Sequence, residues 1–253
     1  HRFNAELPTV ITLGIPLEKL DDRLRTRLSD PKLSRLYFCE DKTSGLMDYD
    51  WGPCFELQKN MKFSSFDHRR VNLPPEQRQN LEQAYRIAMD FAESPESWLV
   101  LQGVNGCGKT HLAAAKVNYR YEAKKPALFI VVPDFLDHLR STFSPESKVS
   151  YDQLFESVKN APFLVLDDFG EQSTTPWAQE KLYQVINHRY NARLPTVITT
   201  TSALDEIEGR ISSRLVDPKL SMVFNITAPD FRGDLKSGQD SRMPRRFRKR
   251  QPD

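Results

Sequence analysis

No apolar run in this chain of 253 residues approaches the roughly 18 residues that a membrane-spanning helix needs. Cysteine is scarce as well. The three present, Cys39, Cys54 and Cys107, are scattered without metal-ligand spacing, which excludes a disulfide scaffold and a cysteine metal site. A reducing, cytoplasmic setting is expected. Neither sign of charge dominates: 36 Lys and Arg stand against 34 Asp and Glu, a net charge of +2, so bulk charge names no partner. There is no recognisable signal peptide, and the chain begins at His1 rather than Met, so a start further upstream is expected.

Glycine is also rare, at ten residues, yet three of them crowd into Gly103-Val104-Asn105-Gly106-Cys107-Gly108-Lys109-Thr110. An apolar run ending at Leu101 precedes this stretch and a helix-like run from His111 follows it. Strand, glycine loop and helix is the context of a phosphate-binding loop. Gly103, Gly106 and Gly108 let the backbone curl, so that N–H groups, with Asn105 and Cys107 between them, point at phosphate oxygens. The positive end of the following helix adds to that field. Lys109 can reach the β- and γ-phosphates, and the Thr110 hydroxyl can take a place on Mg²⁺. His111 continues the loop and is included in the expected ATP site.

A second motif matches the first. Residues 163–168, FLVLDD, place Asp167 and Asp168 at the carboxyl end of an apolar strand, where open parallel sheets bind ligands. Asp167 can hold the Mg²⁺ with Thr110, and Asp168 can polarise an attacking water. The next strand ends in Thr199-Thr200-Thr201. A hydroxyl there can orient that water, and Thr201 is favoured over Thr200, although threonine is also simply a good strand residue. Arg210 and Arg214 lie four apart on one helix face; they read either as a solvated pair of surface charges or as arginines that neutralise a phosphoryl group in a neighbouring subunit. Arg232 is a further candidate, contacting the γ-phosphate within its own chain.

The pattern between these motifs is regular. Helices are expected over 75–93, 109–123, 133–143, 151–160, 176–193 and 203–215. Strands are expected over 98–101, 127–132, 163–166, 196–201 and 222–226. Strands apolar along their whole length imply a parallel sheet covered on both faces. Residues 40–74 read as a connector, in which Phe63 and Phe66 plug a groove on the following domain. The basic tail, with Phe247 among its arginines, reads as disordered and able to contact phosphates or stack on a base.

One feature stands apart. Residues 1–34 and 188–221 align without gaps at 19 of 34 positions, an offset of 187 residues. Such a spacing is no short solenoid period. It reads as the end of an earlier copy of the same domain, with a strand at 7–12 and a helix at 17–28. Arg23 and Arg27 stand opposite Arg210 and Arg214. Leu13 and Gly14 stand opposite Thr200 and Thr201, and Gly45 opposite Arg232. The first copy is therefore expected to be degenerate and unable to hydrolyse ATP, with Arg27 available to a neighbouring site.

Together GVNGCGKTHLAAA, LVLDDFG, LYQVINHRYNARLPTVITT and GRISSRL resemble the AAA+ ATPases of the DnaC/DnaI helicase-loader and IstB group, over about residues 60–235. The resemblance implies a P-loop α/β fold of three layers, α/β/α, with five parallel strands in the order 5-1-4-3-2 and a minimal lid. It implies that Lys109 and Thr110 are Walker A residues and Asp167 and Asp168 Walker B residues. Thr201 falls at sensor 1, where many relatives carry Asn, Arg214 at the arginine finger and Arg232 at sensor 2. Domains are expected at 1–45 (truncated, degenerate first copy), 46–74 (connector), 75–235 (ATPase) and 236–253 (tail). The function implied is an ATPase that loads or remodels a replicative DNA helicase, with single-stranded DNA and a homo-oligomer as further partners. The alternatives are an IstB-like transposition helper and a nucleotide-gated scaffold with negligible turnover.

Overall fold

In a computed structural model of the chain, the described residues are 9–13, 20–29, 34, 58–69, 72–143, 150–170 and 175–231. They fall into two compact units, His1–Gly45 and Leu46–Asp253.

In the first unit, α1 spans Asp22–Leu28, and the Asp21 carboxylate caps it by accepting from the Arg23 N–H at 2.9 Å. The strand expected at 7–12 is not formed over the described residues 9–13, and the helix expected from residue 17 begins only at Asp22. A lone strand segment has no sheet to complete its backbone hydrogen bonds, which accounts for the first difference.

In the second unit, Pro75 opens α2 (Pro75–Glu93), which buries Leu81, Ala84, Ala88 and Ala92 along one stripe. There follow β1 (Trp98–Gly103), α3 (Lys109–Glu122), β2 (Leu128–Val131), α4 (Val132–Ser141) and α5 (Tyr151–Asn160). Then come β3 (Leu164–Asp167), α6 (Pro176–Asn191), β4 (Thr196–Thr200), α7 (Gly209–Leu215) and β5 (Ser221–Ile226). The five strands form one parallel sheet in the order β2-β3-β4-β1-β5, the expected order read from its other edge.

Strand alternation divides the core into layers. Leu99 and Leu101 face α2 and α3, packing with Leu81, Ala84, Leu112 and Ile226. Trp98 and Val100 face the other way, with Leu166 and Ile198, onto Phe135, Leu154, Leu182 and Ile211 from α4 to α7. The sheet is thus covered on both faces, as continuous apolar strands require.

One local feature of this unit departs from the sequence reading. The helix expected over 203–215 is confined to α7; residues 203–208 are not helical, with a turn at 204–206, and the Glu208 carboxylate caps the helix by accepting from the Ile211 N–H at 3.1 Å. The described part of the expected connector packs on the second unit. Phe63 is buried edge-on against Tyr85 and Tyr119, and Phe66 lies against Tyr85 and His111. Among the described residues, no helix is long and apolar enough to cross a membrane.

Candidate functional site

The carboxyl ends of β1, β3 and β4 open into a cleft of about 590 Å³. Asn105, Gly106, Cys107, Gly108, Lys109, Thr110 and His111 line it from one side, Asp167, Asp168, Thr199 and Thr201 from the sheet, and Phe66, Asp67 and Phe231 from the rim.

The loop takes its shape from backbone that only glycine adopts freely. Gly106 and Gly108 have φ of +73° and +112°. A β-carbon at Gly106 would lie 1.7 Å from Asp230 Oδ1, and one at Gly108 would lie 2.7 Å from the Phe66 ring. Gly108 ends the loop and begins α3, so the N-terminal amides of that helix border the cleft. Lys109 is nearly buried, and its ammonium donates to the carbonyls of Gly103 at 2.7 Å and Val104 at 2.9 Å. Two of its three N–H groups thus brace the loop.

Across the cleft, Asp167 ends β3 with 5% of its surface exposed. Its Oδ1 accepts from the Thr110 hydroxyl at 3.1 Å and from the Thr199 hydroxyl at 2.6 Å. Burial pushes its pKa up to about 6, against the two hydroxyl bonds and Lys109, which pull it down; the nearby Asp168 carboxylate pushes the same way as burial. Asp168 sits in the left-handed region, with φ of +59°, and its N–H donates to Thr199 Oγ1 at 3.0 Å. A non-glycine residue held there stores on the order of 1 kcal/mol of strain, a common signature of functional sites.

Thr110 and Asp167 together fit a hard divalent cation. They offer adjacent oxygen donors, and the buried carboxylate lacks a full countercharge at this position. Among the described residues no group of three or more His, Cys, Asp or Glu forms a metal cage. A pair of oxygens suits Mg²⁺, which keeps water and phosphate ligands of its own.

Not every residue expected at the site converges there. Thr201 lines the cleft, whereas Thr200 Oγ1 turns to accept from the Ser202 N–H at 3.1 Å. His111 borders the cleft, but its Nε2 lies 3.0 Å from the Lys62 carbonyl and 3.3 Å from Ser65 Oγ, so it also fastens the preceding segment to α3. Arg214 does not line the cleft of its own chain; it lies on α7 against Asn187 of α6. Arg232, Gly45 and the basic tail with Phe247 lie outside the described residues. Thr199 was not singled out from its neighbours, although period two already placed it on the same strand face as Thr201.

A family described as IstB-like ATP binding protein matches residues 54–223 of the chain. Over 153 residues the chain is 29% identical to the replicative helicase loader DnaC of Escherichia coli strain K12, covering 60% of this chain and 61% of that one. It is 31% identical over 111 residues to the replicative helicase loader DnaI of Bacillus subtilis strain 168, covering 44% of this chain and 35% of that one. It therefore spans about three-fifths of the one relative's length and about a third of the other's. The crystal structure of the DnaC helicase loader matches with a TM-score of 0.56 at 23% identity, over 68% of this chain and 99% of that chain. That of DnaI matches with a TM-score of 0.54 at 23% identity, over 69% and 92%. At such identity the two structures speak to the fold alone, which they share with this chain.

Proposed function

The chain belongs to the family of IstB-like ATP-binding proteins, and from that premise we propose that it binds Mg²⁺·ATP in the β1–β3–β4 cleft and hydrolyses it to ADP and phosphate. The carrying observation is the 3.1 Å bond between the Thr110 hydroxyl and Asp167, which brings the end of the glycine loop onto the acidic strand end.

In this reading the N–H groups from Gly103 to Gly108 and the Lys109 ammonium hold the phosphates. Thr110 and Asp167 hold the Mg²⁺, which when bound neutralises charge on the β- and γ-phosphates. Asp168 polarises the attacking water and receives its proton, and Thr201 orients that water. Water oxygen forms the new bond to the γ-phosphorus as the bond to ADP breaks. Arg214 acts on the site of a neighbouring copy, and Arg232 on its own. Supporting this is the absence of Arg214 from its own cleft. Lys109→Ala should abolish ATP binding, and Asp168→Asn should keep binding but lose turnover by at least about 100-fold. Tight binding without turnover in the unmodified chain would instead favour a nucleotide-gated scaffold.

The relatives named replicative helicase loaders support a further step, the loading of a replicative DNA helicase; with it we propose assembly on single-stranded DNA as a homo-oligomer in the cytoplasm. The family's IstB-like description favours a second reading, a helper ATPase of a transposase. Preference for single-stranded DNA and ATP-dependent capture of a replicative helicase support the loader. Preference for duplex DNA supports the helper.

A further inference from the structure

Arg214 is not a loose surface arginine. Its Nη2 donates to Asn187 Oδ1 at 2.7 Å and its Nη1 to the Arg210 carbonyl. Its guanidinium carbon lies 5.1 Å from the Tyr183 ring centre and 5.5 Å from that of Tyr190. Tyr190 is itself fixed by donating to Asp217 at 2.5 Å and packs edge-on against Trp98 in the core. Three residues of α6, each one turn from the next, thus hold one guanidinium. Arg210, one turn away on α7, is treated differently: it is more than half exposed, its guanidinium carbon lies 4.3 Å from the Tyr183 ring centre, and it pairs with Glu208 at 2.6 Å.

A free arginine side chain loses much rotamer freedom when it engages a phosphate. A side chain already held by a hydrogen bond and two rings has lost most of that freedom beforehand. The hydrogen-bonding partner of the Asn187 amide, among the described residues, is Arg214 itself. We infer that Asn187 and Tyr183 are positioning residues for Arg214, presenting its guanidinium in one orientation to the triphosphate of a neighbouring copy. The inference rests on the reading of Arg214 as the arginine supplied between copies.

The test separates donor from acceptor. In the full-length chain, Asn187→Ala should lower kcat about tenfold, leave KM for ATP within about twofold, and leave the melting temperature unchanged. Asn187→Asp, which keeps the acceptor oxygen, should retain most of the activity, as should Tyr183→Phe, which keeps the ring; Tyr183→Leu should not. Arg214→Ala should be no worse when Asn187→Ala is added. Mixing then isolates transfer between chains. An Arg214→Ala chain, with an intact nucleotide site, should regain turnover when mixed with a Lys109→Ala chain, which donates Arg214. The same donor carrying Asn187→Ala should restore only about a tenth as much turnover. Normal turnover by Arg214→Ala overturns the reading of Arg214, and the inference with it. Loss in Arg214→Ala alongside full rescue by the Asn187→Ala donor overturns the positioning role alone.

Discussion

The Thr199 hydroxyl joins the two acids of the site, donating to Asp167 Oδ1 at 2.6 Å while accepting from the Asp168 N–H at 3.0 Å. One side chain on β4 therefore sets the direction of the Asp167 carboxylate and stabilises the unusual backbone of Asp168.

Replacing that hydroxyl by a methyl should expose both debts. Thr199→Val keeps the volume and removes the donor and acceptor, so it should destabilise the fold by about 1–3 kcal/mol. It should also lower kcat more than it raises KM for ATP. Thr199→Ser should lie close to the unmodified chain. Urea unfolding and steady-state ATPase measure the two effects separately.

Asp167 makes a prediction in pH. Its folded pKa is raised to about 6 by burial, above the ordinary 3.8. Folding thus favours the protonated acid, whose stabilising contribution is complete below about pH 4 and lost as pH rises through about 6. The nucleotide-free chain should lose up to about 3 kcal/mol from this group over that window. Asp167→Asn should flatten the loss, be the more stable protein at pH 7, and fail to bind Mg²⁺·ATP. Urea unfolding at a series of pH values reads the difference.

Gly106 should resist even alanine. The added β-carbon meets Asp230 Oδ1 at 1.7 Å, at a φ of +73°. Gly106→Ala should weaken binding of a fluorescent ATP analogue at least tenfold. Adding Asp230→Ala should recover only part, because the backbone penalty of about 1 kcal/mol stays.

Arg189 should be the costliest residue in the second unit to shorten. It is fully buried, with Nε donating to Thr196 Oγ1 at 2.9 Å and its other nitrogens to the carbonyls of Lys159, Ala161 and Pro195. Arg189→Met leaves the Lys159 and Ala161 carbonyls without this donor, while Pro195 keeps the Leu164 N–H at 3.2 Å, and should cost about 3–5 kcal/mol. Arg189→Lys should do little better, since one ammonium cannot span the fork. Denaturant midpoints check both.

Much of this was legible in the sequence, for particular reasons. The glycine spacing before Lys109 encodes a backbone shape, and the apolar run before Asp167 encodes a buried strand end, so both sides of the cleft could be placed without coordinates. The helix over 203–215 could not be placed as well. Apolar spacing there persists upstream of Gly209, but Glu208 spends its carboxylate on the Ile211 N–H and starts the helix late. The role of Thr199 was hidden because strand propensity explains a run of threonines without reference to which face each one takes. Asn187 and Tyr183 carry no motif; only the packing of α7 on α6 reveals what they hold.

The repeat has left two seven-residue helices, α1 and α7, whose bounds differ by the same 187 positions as the sequences. Leu24 on the first is 52% exposed, whereas its counterpart Ile211 on the second is 1% exposed. Both begin after an acidic residue whose carboxylate accepts a backbone N–H, and both carry arginine in the last turn. Where such a helix starts and stops is thus dictated by its own few residues, whether its apolar position is exposed or buried. Since seven residues are too few to persist in water by themselves, the seat decides only how long the helix lasts.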